Sequence, residues 1–95
     1  MSQKYSRETL IRAWEMAQVI PHVDSTKVRK DRCGAVISFN EYGNRNSRFG
    51  WEIDHIFALA KGGADTWDNV QPLHWDNNCT KGDGPLVCST NPTNQ

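Results

Sequence analysis

Apolar positions near the start of the chain predict a helix. They recur every three or four residues, as on one helical face: Leu10, Ile11, Trp14, Ala17 and Ile20. Ser6 suits the N-cap position, and Pro21 is expected to end the helix. We interpret this segment as a packing helix anchored by Trp14; the alternative, a DNA-contacting helix, depends on Arg7 and Arg12.

Two stretches in the middle of the chain alternate between apolar and polar positions. Cys33, Ala35, Ile37 and Phe39 form the first series, and Phe49, Trp51, Ile53 and His55 form the second. Residues 40–47 between them are rich in turn formers. The pattern predicts a hairpin, with strands over 35–39 and 49–55, that carries Asp54 and His55 at its end. Residues 22–30 are predicted to be a loop.

After His55 the pattern predicts a loop, a strand and a helix. The loop contains Gly62 and Gly63, the strand covers 70–73, and the helix covers about 74–81 with Gly82 just beyond it. We therefore expect an α+β fold in a single domain over 1–83. Its N-terminal helix and loop occupy 1–27, and the hairpin and following elements occupy 33–83. Residues 84–95 are expected to form a mostly loose tail, with 86–88 as the part that would dock.

Composition restricts the functional classes. The chain has 95 residues, so its core is small. Its net charge is +0, so tight non-specific DNA binding is not expected. The three cysteines, Cys33, Cys79 and Cys88, contain no C-x-x-C pair. We therefore predict neither a disulfide framework nor a four-cysteine zinc site. This use of cysteine fits a reducing cytosol. No signal peptide and no membrane span are expected.

Polar residues in a defined order carry the candidate chemistry. Asp54 and His55 are adjacent at the end of a predicted strand, Asn69 lies in Trp-Asp-Asn-Val, and Asn78 lies in Asn-Cys-Thr-Lys-Gly-Asp. With the Gly-Gly pair between them, they resemble the HNH nuclease motif over about residues 50–83, in a variant with Asn in the last place. The resemblance implies a ββα-metal (His-Me finger) core with an N-terminal packing helix and an antiparallel hairpin. It also implies a metal-dependent endonuclease that leaves 5′-phosphate and 3′-hydroxyl ends on DNA.

Each motif residue fits a step of phosphodiester hydrolysis. Histidine is the usual general base, because its side chain is largely neutral at pH 7, and we assign that role to His55. Asp54 and Asn78 offer hard oxygens to Mg²⁺ or Mn²⁺. The resemblance implies that Asn69 pins the loop and helps to orient the histidine.

Two residues of the last predicted helix have alternative interpretations. His74 is either a second metal ligand or phosphate donor, or a packing or capping residue. The resemblance implies that many relatives carry zinc-binding cysteines at the positions of His74 and Asn77. Because this chain has no cysteine at either position, no structural zinc is expected here. Lys81 is either a phosphate contact or a plain exposed lysine.

Other basic residues are candidates for nucleic-acid contact or for a solvated surface: Arg29, Lys30, Arg32, Arg45 and Arg48. Because the net charge is zero, a larger protein complex is a candidate source of DNA affinity. The rival hypothesis is a non-catalytic nucleic-acid-binding or adaptor domain on the same scaffold. We expect a cytoplasmic protein of a bacterial cell or a phage-infected host; the sequence makes no prediction of oligomeric state.

Overall fold

The computed structural model describes residues 5–88; residues 1–4 and the end of the predicted tail, 89–95, lie outside that range. Two helices and four short strands follow one another in this order: α1 (Arg7–Trp14), β1 (Val28–Lys30), β2 (Val36–Ser38), β3 (Trp51–His55), β4 (Val70–His74) and α2 (Trp75–Lys81). The strands form two antiparallel pairs. The predicted α+β class is therefore confirmed. No helix among residues 5–88 has the length and apolar character needed to cross a membrane.

Helix α1 begins where the sequence predicts and ends earlier. The Ser6 hydroxyl accepts a hydrogen bond from the backbone N–H of Thr9 at 3.1 Å, which caps the first turn. The helix ends at Trp14, so the predicted extension to Pro21 is wrong. The backbone of Gln18 instead exchanges two hydrogen bonds with Lys30, at 2.8 and 2.9 Å. This extended pairing is incompatible with helical geometry at Gln18.

The predicted hairpin between 35–39 and 49–55 is also wrong. Strand β2 pairs with β1, which lies in a segment predicted to be a loop, and β3 pairs with β4. The expected partners meet only through local contacts, such as the bond from the Ser38 N–H to the Phe49 carbonyl at 3.0 Å. Alternation identified the strands but could not identify their partners, because it reports only which positions share a face.

An aromatic cluster joins α1 to both strand pairs. Trp14 and Trp51 are buried with ring centroids 5.2 Å apart, and Phe39 and Tyr42 pack around them. Both indole N–H groups donate to backbone carbonyls, so the large rings are buried without an unpaired donor. The predicted anchoring role of Trp14 agrees with this position. The cluster fixes the start of β3, whose other end carries the candidate site.

Two cross-links tie the segment after β1 to the C-terminal half of the domain. Asp31 is fully buried, and its carboxylate accepts four hydrogen bonds, two from the loop before β2 and two from the region where β4 meets α2. Cys33 forms a disulfide with Cys88. The prediction that these cysteines form no disulfide is therefore wrong, and Cys79 is the free, exposed thiol among the described residues. An odd count excludes full pairing, but it does not exclude one pair separated by 55 positions.

Candidate active site

Strand β3 presents its candidate residues to two different sides. Successive side chains of a strand point to opposite faces, so Glu52 and Asp54 share one face while Trp51, Ile53 and His55 share the other. The Glu52 and Asp54 face lies under α2, where Asn78 contacts Glu52 and Lys81 contacts Asp54. Asn78 and Lys81 are about one helical turn apart, so they match two same-face positions of the strand. Lys81 therefore lies against Asp54, and Asn78 lies against Glu52; we call the place where Asp54, Lys81 and the neighbouring Gln71 meet the Asp54 corner.

Asp54 is buried, and protein donors contact both of its carboxylate oxygens. Its side chain is 7% exposed. The Lys81 ammonium lies 3.3 Å from Oδ1, and the side-chain amide of Gln71, on the neighbouring strand β4, donates to Oδ2 at 2.9 Å. The Gln71 Oε1 atom is also buried, and it has no hydrogen-bond partner among the described residues. The corner therefore contains a carboxylate, an unpaired amide oxygen and a buried cation.

A chain of hydrogen bonds sets the orientation of Asn78. Arg45 donates two hydrogen bonds to the Glu52 carboxylate, at 2.7 and 2.9 Å, and the Asn78 amide nitrogen donates to Glu52 Oε1 at 2.8 Å. A carboxylate only accepts, so the amide oxygen of Asn78 must face away from Glu52. Burial alone would raise the pKa of Glu52, but the hydrogen bonds from Arg45 and Asn78 and the charge of Arg45 outweigh it and hold that pKa below its usual range.

His55 occupies the end of β3 and bonds to a carboxylate of the following loop. Its Nε2 lies 2.8 Å from Asp65 Oδ1, and its side chain is 12% exposed. Because an ionised carboxylate only accepts, Nε2 carries the hydrogen in this pair, and Nδ1 is the nitrogen left to accept a proton in the neutral ring. The His55 carbonyl accepts from the Lys81 ammonium at 3.0 Å, so α2 also holds the strand end in place.

Asn69 closes the loop between β3 and β4. Its side-chain oxygen accepts from the Phe57 N–H at 2.8 Å, and its nitrogen donates to the carbonyls of Phe57 and Ala64, at 3.0 and 2.6 Å. Gly63 packs against the same turn so closely that a Cβ there would lie 1.9 Å from the Phe57 carbonyl oxygen. The Asn and the Gly-Gly pair of the motif therefore act together on the loop that carries Asp65.

His74 is a buried capping residue in this structure. Its Nδ1 accepts from the Asp76 backbone N–H at 3.0 Å, and its Nε2 lies 2.8 Å from the Arg48 carbonyl oxygen. One partner only donates and the other only accepts, which fixes the neutral tautomer with hydrogen on Nε2. Neither ring nitrogen is therefore free for a metal ion in this conformation. Asp31 accepts from the His74 N–H and from Asn77 Nδ2, so it connects the N-cap of α2 to the first turn of that helix.

The predicted basic contacts occupy different environments. Arg29 donates to three backbone carbonyls, two just after α1 and one in the loop before β1. Lys81 is buried, unlike a surface phosphate contact. Lys30 is half-buried in β1, while Arg48 is exposed. Arg45 is tied to Glu52. Arg32 is exposed and borders an open cleft of about 270 Å³ that Gln71 and Ile56 also line, next to the Asp54 corner.

Two further open clefts flank β3. One of about 410 Å³ is lined by Arg45, Glu52 and Asn78, and one of about 280 Å³ is lined by Asp65 and Trp67; Tyr5 and Ile53 border both. Burial and the nearby Asp65 carboxylate raise the pKa of Tyr5. The clefts give access to β3 from the Asn78 side and from the side of the Asp65 loop.

Sequence reasoning missed several residues that shape this corner. Glu52 shares a strand face with Asp54, so period-two spacing could have found it, and Asp65 lies in the motif's own loop. Gln71 and Asp31 gave no comparable signal, because the partner of Gln71 and the α2-side partners of Asp31 lie far away in the sequence. Among the described residues, no cluster of three or more His, Cys, Asp or Glu side chains is arranged to hold a metal ion.

The antiparallel pair β3–β4 and the following helix α2 present a carboxylate, a histidine and an asparagine in a small α+β domain, an arrangement compatible with an HNH domain. The family model described as HNH endonuclease matches residues 31–84, more than half of the chain. The chain therefore belongs to the HNH endonuclease family, and the resemblance predicted over about residues 50–83 is confirmed. Comparison with curated proteins and with solved structures gave no match.

Proposed function

We propose that this protein is a metal-dependent HNH endonuclease that hydrolyses phosphodiester bonds of DNA. The observation that carries the proposal is that α2 packs against the antiparallel pair β3–β4, with Lys81 on Asp54 of β3 and Asn78 on Glu52. We interpret this arrangement as the ββα-metal core of the family. His55 ends strand β3. Family membership supports the reaction class.

His55 acts as the general base in this proposal. Its Nε2–H donates to Asp65, which fixes the ring and leaves Nδ1 to take a proton from the attacking water. Asn69 acts indirectly, because it holds the loop from which Asp65 reaches the ring. Proton transfer of this kind contributes typically 10²–10⁴-fold to a rate.

The donor set fits Mg²⁺ or Mn²⁺. Asp54 supplies a carboxylate, Asn78 an amide oxygen turned away from Glu52, and Gln71 Oε1 is a third hard oxygen, in the Asp54 corner. In this proposal Asp54 and Asn78 hold the ion. A bound divalent ion would neutralise charge on the phosphate and stabilise the leaving oxygen.

The open clefts beside β3 provide room for a DNA strand, and the exposed Arg32 borders the cleft that Gln71 also lines. The net charge of +0 gives little general attraction to DNA. A larger complex that supplies DNA affinity is therefore part of the proposal.

Incubation with supercoiled plasmid tests the proposed activity. Wild-type protein with Mg²⁺ or Mn²⁺ should convert the plasmid to nicked or linear forms, and an excess of chelator should prevent it. DNA ligase should reseal the products, since it requires 5′-phosphate and 3′-hydroxyl ends. Cleavage that persists in chelator, or ends that ligase cannot join, would exclude this mechanism.

A second candidate function is a non-catalytic nucleic-acid-binding or adaptor domain. The contact that favours it is the buried Lys81 ammonium, which already neutralises Asp54. Under this alternative the protein would bind DNA or a protein partner and leave plasmid intact with every divalent ion tested.

A further inference from the structure

Lys81 differs from a surface lysine in its burial and in its partners. Its side chain is 1% exposed although it belongs to the last turn of α2. Its ammonium lies 3.0 Å from the His55 carbonyl oxygen and 3.3 Å from Asp54 Oδ1. A buried ammonium costs free energy unless charge and hydrogen bonds compensate it. The two contacts supply that compensation, so the ammonium is a fixed part of the corner.

The position of this cation matters for any ion that Asp54 binds. A divalent ion on Asp54 would lie close to the ammonium, in a buried place where like charges are poorly screened. The ammonium also uses part of the carboxylate's capacity to accept. Gln71 occupies the other oxygen, so Asp54 cannot simply turn a free oxygen toward the ion.

We propose that Lys81 is an internal competitor of the divalent metal ion at Asp54 and keeps the metal affinity of the free protein low. The inference rests on the proposed function, because it takes Asp54 as a metal ligand. It gives Lys81 a different role from a phosphate contact: the side chain sets how strongly the corner binds a cation before DNA arrives.

Two substitutions separate charge from structure. Lys81→Gln removes the charge and keeps a donor for the His55 carbonyl, whereas Lys81→Arg keeps the charge. Lys61, which is exposed in the loop after β3, provides the matched control, since Lys61→Gln makes the same change in net charge at the surface. Thermal unfolding and circular dichroism verify that each variant folds.

The readout is Mn²⁺ affinity, measured from the electron paramagnetic resonance signal of free Mn²⁺ without DNA. Lys81→Gln should bind Mn²⁺ at least about tenfold more tightly than wild type, while Lys81→Arg and Lys61→Gln should stay within about twofold. Adding Asp54→Ala to Lys81→Gln should abolish the gain, which locates the ion.

Two outcomes would overturn the inference in distinguishable ways. If Lys81→Gln is folded and its affinity equals that of wild type, the competition does not exist, although Asp54 could still be a ligand. If folded wild type and Lys81→Gln both fail to bind Mn²⁺ at millimolar concentration, the metal site of the proposed function fails as well. An equal decrease in Mn²⁺ affinity in Lys81→Gln and Lys81→Arg would show that Lys81 has a purely structural role.

Discussion

Replacing the buried Asp31 by Asn should strongly destabilise the domain. Its Oδ1 accepts from the backbone N–H groups of Cys33 and Ala35, both at 2.9 Å. Its Oδ2 accepts from the His74 N–H at 3.0 Å and from Asn77 Nδ2 at 2.9 Å. Asparagine has nearly the same shape, but one of its two positions becomes an NH₂ group. Whichever way the amide turns, two donors lose their acceptor and face another donor.

The size of the effect follows from those two lost bonds. A hydrogen bond to a charged group contributes about 1.5–3 kcal/mol, so the loss is about 3–6 kcal/mol. A domain of this length has a total free energy of unfolding of roughly 5–14 kcal/mol. Asp31→Asn should therefore remain folded at low temperature but lose much of its free energy of unfolding. A loss of about 3 kcal/mol lowers the Tm of such a domain by roughly 12–24 °C.

Differential scanning calorimetry of wild type, Asp31→Asn and Asp24→Asn measures this effect. Asp24 is the matched control, because it also accepts hydrogen bonds, from Thr26, but is exposed. Asp24→Asn should melt close to wild type, because substitutions at exposed positions have small effects on stability. If Asp31→Asn melts within about 4 °C of wild type, the network does not hold the start of α2 as described.

Three further predictions follow from other contacts. Cys33→Ser should lower the free energy of unfolding by about 2–4 kcal/mol by removing the disulfide with Cys88. Cys79→Ser removes no disulfide and should not lower it. Equal melting temperatures of the two variants under oxidising conditions would contradict this. The pKa of Glu52 is lowered on folding from 4.5, so its stabilising contribution is complete above pH 4.5 and is lost as the pH falls through the folded-state pKa. Acid titration by circular dichroism should show weaker pH dependence for Glu52→Gln, and superimposable relative curves would refute it. Asn78→His should raise affinity for Ni²⁺ and Zn²⁺, because imidazole suits these two ions, and it should reduce Mg²⁺-supported nicking. His74→Ala should leave the metal preference unchanged when nicking is titrated with the same ions. The reverse outcome would make His74 the ligand.

Local sequence signals predicted the elements that depend on neighbouring residues. The Ser6 cap, strand β4 and helix α2 all lie where capping and periodicity place them. Capping and periodicity are patterns within about one turn or one strand, which the sequence shows directly. The motif also located the strand end at His55 and the loop closed by Asn69.

Features that depend on distant partners could not be predicted in the same way. Strand pairing, the Cys33–Cys88 bond and the Asp31 network connect residues that only the folded chain brings together. The burial of Lys81 belongs to this group, because a lysine three positions after Asn78 faces the site whether it ends in solvent or against Asp54. Spacing predicts the face of the helix on which a residue lies, but it does not predict whether that residue is buried.

The most direct test of the central claim is plasmid nicking by His55→Ala, purified in parallel with wild type and shown to be folded by circular dichroism. If His55 is the general base of a Mg²⁺-dependent nuclease, the variant should lose at least about 10²-fold in single-turnover rate while its Tm stays close to that of wild type. Undiminished, chelator-sensitive nicking by the folded variant would contradict the account.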